Sequence, residues 1–129
     1  MTRTAYDKAL FIIAAAFNLG TAAVLIFRPD IILVRLGISD PAAKLLARSL
    51  ASSVTVWGIA YALVAINPNR FREFVRLGIF SKTLFFVIYA VAFFGGEITF
   101  NAFVPAVIDL ILAVLFMEYW WRSEQMKSR

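Results

Sequence analysis

The feature that most constrains this chain is a set of long apolar runs separated by charge, proline or glycine. They read Ala9–Phe27 (ALFIIAAAFNLGTAAVLIF), Leu45–Ile66 (LLARSLASSVTVWGIAYALVAI), about Phe74–Phe94 and about Ala102–Trp121. Each has roughly the 20 residues that a helix needs to cross the hydrocarbon core of a bilayer. Composition points the same way. The chain is 62% hydrophobic with a mean hydropathy of +0.82, whereas a soluble domain is nearer half apolar and more charged. The expectation is an all-α polytopic membrane protein: one domain over residues 1–129, built as an up-down bundle of four transmembrane helices.

The segments between the runs are short. Arg28-Pro29-Asp30 ends the first span. A cleaved signal peptide is the rival reading of that span, because its alanines could imitate a cleavage site; the expectation here is that it is retained. Ile31–Ile38 (IILVRLGI) is too short to cross, so it is expected as a short interfacial helix between helices 1 and 2, or as a lid over the bundle end. Ser39-Asp40-Pro41 reads as a helix start, with a capping side chain followed by proline. Asn67-Pro68 stops the second span and is expected to open the next helix. Gly95-Gly96 closes the third. Pro105 lies in or just past the first turn of the fourth, where it can kink the helix modestly.

Charge placement gives an orientation. Arg3, Lys8, Arg70, Arg72, Arg76, Arg122, Lys127 and Arg129 fall on one side, against Arg28, Arg35, Lys44 and Arg48 on the other. Because basic residues favour the cytoplasmic side, both termini are expected in the cytoplasm. Tyr119, Trp120 and Trp121 form an aromatic anchor at that interface. The net charge of +5 flanks apolar spans, so lipid headgroups explain it better than nucleic acid does. The chain has no cysteine and no histidine. Disulfides, thiolate metal sites, Fe–S clusters and histidine-ligated haem or di-iron are thereby excluded, and no cofactor is implied. No glycine-rich phosphate loop, metal-ligand cluster or nucleophile–base pair is visible, so nothing asks for an enzyme.

The midpoints of the four spans fall near Asn18, Thr55, Leu84 and Ile111, and each span carries a polar group close to that depth. Those groups are Asn18, Ser52, Ser53, Thr55, Trp57, Lys82 and Asp109. Polar groups in hydrocarbon are costly unless they face partners or a wet cavity. Lys82 lies about 3 Å from its midpoint along the helix and cannot easily snorkel the remaining roughly 12 Å to water. Asp109, the only acid near mid-depth, is its natural partner across antiparallel neighbours. Against this, side chains lean toward their own helix N-terminus, which would draw the two apart. A bridging water, Asn18 or Tyr61 would then link them. Helical phase supports a shared interior. Gly78, Lys82, Phe85 and Tyr89 lie on one face of the third span, Ser49, Ser53, Trp57 and Tyr61 on one face of the second, and Ala14, Asn18 and Ala22 on one face of the first.

Each of these residues has a plainer reading. Lys82 and Asp109 can be a structural ion pair fixing helix register. Asn18, Ser52, Ser53 and Thr55 can be interhelical glue, and Trp57 can simply fill core volume. Lys44 and Arg48 share a face on the outer side; their plain role is anchoring to headgroups, and their sharper one is an anion or headgroup site beside the lid.

The segments AFNLG, WGIAYALVAINPNRFREFVRLGIFSK and PAVIDLILAVLF resemble those of small four-helix bacterial inner-membrane proteins, many of them loosely DoxX-like. That resemblance implies the fold and the bacterial inner membrane as location, and brings no catalytic residue with it. Small multidrug exporters carry their membrane glutamate in the first helix, where this chain has Asn18, and the fluoride-channel motif is absent. The expected function is non-enzymatic: binding of a partner membrane protein, or of a lipid-like or apolar small molecule, through an interior lined by Lys82, Asp109, Asn18, Trp57 and Tyr61. A homo-oligomer or a subunit of a larger assembly is expected. The alternative is a proton- or ion-coupled transporter of a small solute, with Asp109 as the titrating carboxylate.

Overall fold

Each apolar run is a helix, and each helix begins before its run does. The computed structural model describes residues 2–129. It contains α1 (Arg3–Phe27), α2 (Pro29–Arg35), α3 (Ala42–Ile66), α4 (Arg72–Phe94) and α5 (Phe100–Lys127), with no strand among the described residues. α1, α3, α4 and α5 are long and apolar enough to cross a membrane. The architecture is that of a multi-pass integral membrane protein with a short helix between its first two spans.

Local chemistry sets the ends. Thr2 Oγ1 accepts from the Ala5 N–H at 3.2 Å, and Thr99 Oγ1 accepts from Ala102 at 3.4 Å. These satisfy N–H groups that a helix start leaves free. Asp40 Oδ1 accepts from the Ala42 N–H at 2.8 Å, so the Ser-Asp-Pro segment does start α3. Two glycines with positive φ close α2 and α4: Gly37 at 70° and Gly96 at 78°. In each case the next residue's N–H reaches back to a carbonyl five residues earlier, Ile38 to Leu33 at 2.9 Å and Glu97 to Ala92 at 2.8 Å. That left-handed closure favours glycine, which has no Cβ to clash. One boundary differs from expectation: Pro68 does not open α4. Asn67 Oδ1 accepts from Arg70 N–H and Asn67 O from Phe71 N–H, so a turn intervenes and the helix begins at Arg72.

The spans associate as two pairs, α1 with α3 and α4 with α5. Small residues bring the first pair close. A Cβ on Gly58 would lie 2.7 Å from Leu19 Cγ and 3.2 Å from its backbone nitrogen, and Ala22, Ala47 and Ala51 are buried along the same seam. This is the way helices pack where lipid gives no hydrophobic drive. Aromatic rings fill the second pair: Phe103 stacks on Phe93 at 4.7 Å and meets Phe86 at 5.7 Å.

The pairs meet chiefly at the end that carries both termini. There Phe11, Tyr61, Val64, Val75 and Phe116 are all essentially inaccessible. The Phe116 ring lies 5.0 Å from Phe11 and 5.1 Å from Tyr61. Gly78 lets Tyr61 lie across α4, since a Cβ there would fall 2.8 Å from Tyr61 Cε1. Charges clamp the same end. Arg122 donates to Asp7 and to Glu118, both at 2.8 Å, and Arg3 donates to Glu118 at 2.7 Å. Arg72 pairs with Glu124 and lies 3.9 Å over the Trp120 ring. At the opposite end no comparable cluster joins the pairs among the described residues; α2 lies against α1, α3 and α5 instead.

Candidate functional site: a cavity floored by Lys82, Asp109 and Asn18

Packing at one end and splaying at the other leaves a cavity of about 610 Å³ between the two pairs. Its wall takes residues at helical intervals from every long helix, within 16–25 of α1, 50–61 of α3, 81–89 of α4 and 101–109 of α5. Ile32 and Arg35 of α2 line it as well, with Leu36 just after that helix, one of the two placements expected of this segment. The wall is mainly apolar and aromatic.

The polar groups converge on the floor. Lys82, 4% exposed, donates from Nζ to Asp109 Oδ1 and to Asn18 Oδ1, the latter at 3.2 Å. Two aromatic faces flank the ammonium, Tyr61 at 5.3 Å and Phe17 at 5.7 Å, within cation–π range. Only Val75, Gly78 and Lys82 are buried on α4. They follow each other at three- and four-residue spacing, so a single stripe of that helix faces inward and the lysine is on it. Asp109 sits one turn after Pro105. That proline has no N–H to give the Asn101 carbonyl, and both residues line the cavity. Oδ2 of Asp109 has no hydrogen-bond partner among the described residues, and the side chain is 13% exposed.

The five interior residues expected from sequence thus stand together. Lys82, Asp109, Asn18 and Tyr61 form the floor, and Trp57 lines the wall, stacked on Tyr61 at 5.8 Å. The rest of the mid-depth layer divides. Ser53 lines the cavity, but Ser52 and Thr55 donate to their own helix at Ser49 O and Ala51 O. Those two are backbone-satisfied and take no part in the site. Lys44 and Arg48 lie away from the cavity on the exposed surface, and Arg48 Nε donates to Ile26 O at 3.1 Å, tying α3 to the end of α1. Phe17 was not anticipated from sequence; one phenylalanine in a run of apolar residues gives no signal. No group of three or more histidine, cysteine or acidic residues that could hold a metal occurs among the described residues.

Comparison with protein-family models, with curated proteins and with solved structures gave no match for this chain. What it does must be argued from the cavity.

Proposed function

We propose that this integral membrane protein binds a lipid-like or apolar small molecule in the cavity between its helix pairs. The observation that carries this reading is the cavity itself: about 610 Å³, within the roughly 300–1,000 Å³ of sites that enclose small ligands, mainly apolar in its walls, with Lys82, Asp109 and Asn18 gathered at its floor and Arg35 on the α2 side. A bundle built merely to span would close this space with side chains, because unfilled volume forfeits packing. In this reading the Lys82–Asp109 contact is an ion pair that also orients the ligand. The lid α2 faces outside, both termini are cytoplasmic, and the location is the bacterial inner membrane.

The test is native mass spectrometry after gentle extraction, comparing the chain with Ser53→Phe, which puts a ring into the cavity from α3. A bound small molecule present in the first and absent from the second supports the reading. No bound molecule, or one retained equally in both, overturns it. Impermeant maleimide applied to cells expressing a cysteine at Lys127 or at Lys44 tests the orientation; labelling of the Lys127 position alone reverses it.

A second reading draws on the open carboxylate oxygen of Asp109. An acid on a cavity wall, held by a lysine on the neighbouring helix, is a device for coupling solute movement to a proton. Solute flux into proteoliposomes that requires a pH gradient and is lost in Asp109→Asn favours transport over simple binding.

A further inference from the structure

The chemistry of the floor and the size of the cavity together specify what kind of molecule fits. We infer that the ligand is a single-chain amphiphile whose head is an uncharged hydroxyl, held between the open oxygen of Asp109 and the Lys82–Asn18 side of the floor. This rests on the cavity-binding reading above and goes beyond it in naming the ligand class.

Size comes first. At about 30 Å³ per water-sized group, 610 Å³ takes roughly twenty heavy atoms. A single chain with a small head matches that volume; the second chain of a phospholipid would have to lie outside it.

The head follows from charge and unused valences. Lys82 and Asp109 offset each other, so the floor carries no net charge. A carboxylate or phosphate head would approach Lys82 beside Asp109 and meet repulsion from the acid. An ammonium head would approach Asp109 beside Lys82 and meet the converse. Either would bring a third charge to a floor where Lys82 and Asp109 already offset each other, the cavity's remaining charge, Arg35, standing on the α2 side, and an unmatched charge there is costly. A hydroxyl needs one acceptor and one donor, and the floor has both. Asp109 Oδ2 is an open acceptor. An ammonium has three N–H donors, and Lys82 uses two of them, on Asp109 and Asn18. A hydroxyl donating to Asp109 and accepting from Lys82 uses both without adding charge. The chain then runs toward α2 between Trp57, Phe85 and Tyr89, all on the cavity wall.

Trp57 supplies the readout. The chain has three tryptophans, and Trp120 and Trp121 lie at the opposite end from the cavity, so Trp120→Phe/Trp121→Phe leaves Trp57 as the only reporter. In lipid nanodiscs it is titrated with oleyl alcohol, oleic acid and oleylamine, each brominated across its double bond to quench nearby indole. The pH is one at which the acid is ionised and the amine protonated. Saturable quenching by the alcohol, reversed by unbrominated oleyl alcohol and at least tenfold tighter than for the acid or amine, is the expected result. Saturable quenching by the acid or the amine at equal or higher affinity overturns the head-group assignment and leaves cavity binding standing. No saturable quenching by any of the three overturns both. If the double variant folds poorly, the unmodified chain measured against Trp57→Phe gives the same signal as a difference.

Discussion

Removing one member of the Lys82–Asp109 contact should cost more than removing both. The magnitude follows from the surroundings of each group. In Asp109→Asn the ammonium stays 4% exposed, with only neutral oxygens and two aromatic faces to hold its charge. Stranding one half of a buried pair costs about 3–5 kcal/mol, and Asn18 with the Tyr61 and Phe17 rings holds this case near the lower figure, about 3 kcal/mol. In Lys82→Met the acid is stranded instead, but its side chain is 13% exposed on the cavity wall and can be hydrated there. Its cost is set near 2 kcal/mol, below the range for a fully buried charge. The double variant strands nothing and loses mainly hydrogen bonds, which between membrane helices contribute roughly 0.6–1.7 kcal/mol. The singles therefore sum to about 5 kcal/mol against about 1–2 for the double, a coupling of about 3–4 kcal/mol. Expressed as equilibria, Asp109→Asn unfolds about a hundredfold more readily than the parent, while the double variant stays within about fivefold to thirtyfold of it. Reversible unfolding in mixed micelles of rising sodium dodecyl sulfate content, followed by circular dichroism, measures all four chains. A double variant equal to the sum of its singles within about 0.5 kcal/mol would refute the pairing.

The remaining expectations concern other parts of the bundle. Gly78→Ala puts a Cβ 2.8 Å from a Tyr61 ring that is itself 1% exposed, so overpacking should cost about 1–3 kcal/mol in the same assay. Gly20→Ala, whose Cβ would meet nothing within 4 Å, should not destabilise, and equal losses at both sites would dispose of the close-approach argument. Arg122→Gln breaks charge-assisted bonds to Asp7 and Glu118 and should cost about 1.5–3 kcal/mol. Arg122→Lys should restore only part, because one ammonium cannot replace a fork reaching two carboxylates. Outside the spans, the Arg28 hydrogen bonds hold the Asp30 carboxyl below its ordinary pKa. A depressed carboxylate pKa stabilises the fold above the unfolded value and loses that contribution as pH falls through the folded one. Carbon-detected NMR titration of Asp30 should therefore give a midpoint below that of aspartate in an unstructured peptide, and the midpoint should return to the ordinary value in Arg28→Gln.

How far the sequence reached depended on which physical signal each feature leaves. The spans were legible because length and apolarity are properties of a whole segment, and they survive boundary errors of several residues. Lys82 and Asp109 were legible because a charge inside an apolar run needs a reason. Their contact was harder to foresee, since the N-terminal lean of helical side chains argued against it. A lysine stem of four methylenes spans that offset. Depth alone misjudged Ser52 and Thr55. Both are near mid-depth, but helical phase turns them so that their hydroxyls return to their own backbone, while Ser53, one residue from Ser52, lines the cavity. The polar floor was legible in that mid-depth layer, but the size and shape of the cavity left no sequence signal, because they are set by contacts that the two pairs do not form.

That missing contact has a cause in where side-chain bulk is spent. Around the termini end the inward positions hold Phe11, Tyr61, Phe116 and Tyr119, which fill the space between pairs. Around the α2 end the corresponding positions on α1 and α3 hold Gly20, Thr21, Leu50 and Ser53. The large rings of α4 and α5 there, Phe86, Phe93 and Phe103, are spent on each other. Polar ties follow the same gradient. The side-chain hydrogen bonds that join the first pair to the second are Arg3–Glu118 and Asp7–Arg122 at the clamped end and Lys82–Asn18 at the floor. None joins the pairs beyond the floor among the described residues. Under the proposed cavity binding, a molecule entering from the α2 side would displace no side-chain hydrogen bond between the pairs until it reached Lys82. In that proposal the floor, tied to the clamped end, would recognise the head group, and the α2 side, where no such ties join the pairs, would tolerate variation in the chain attached to it.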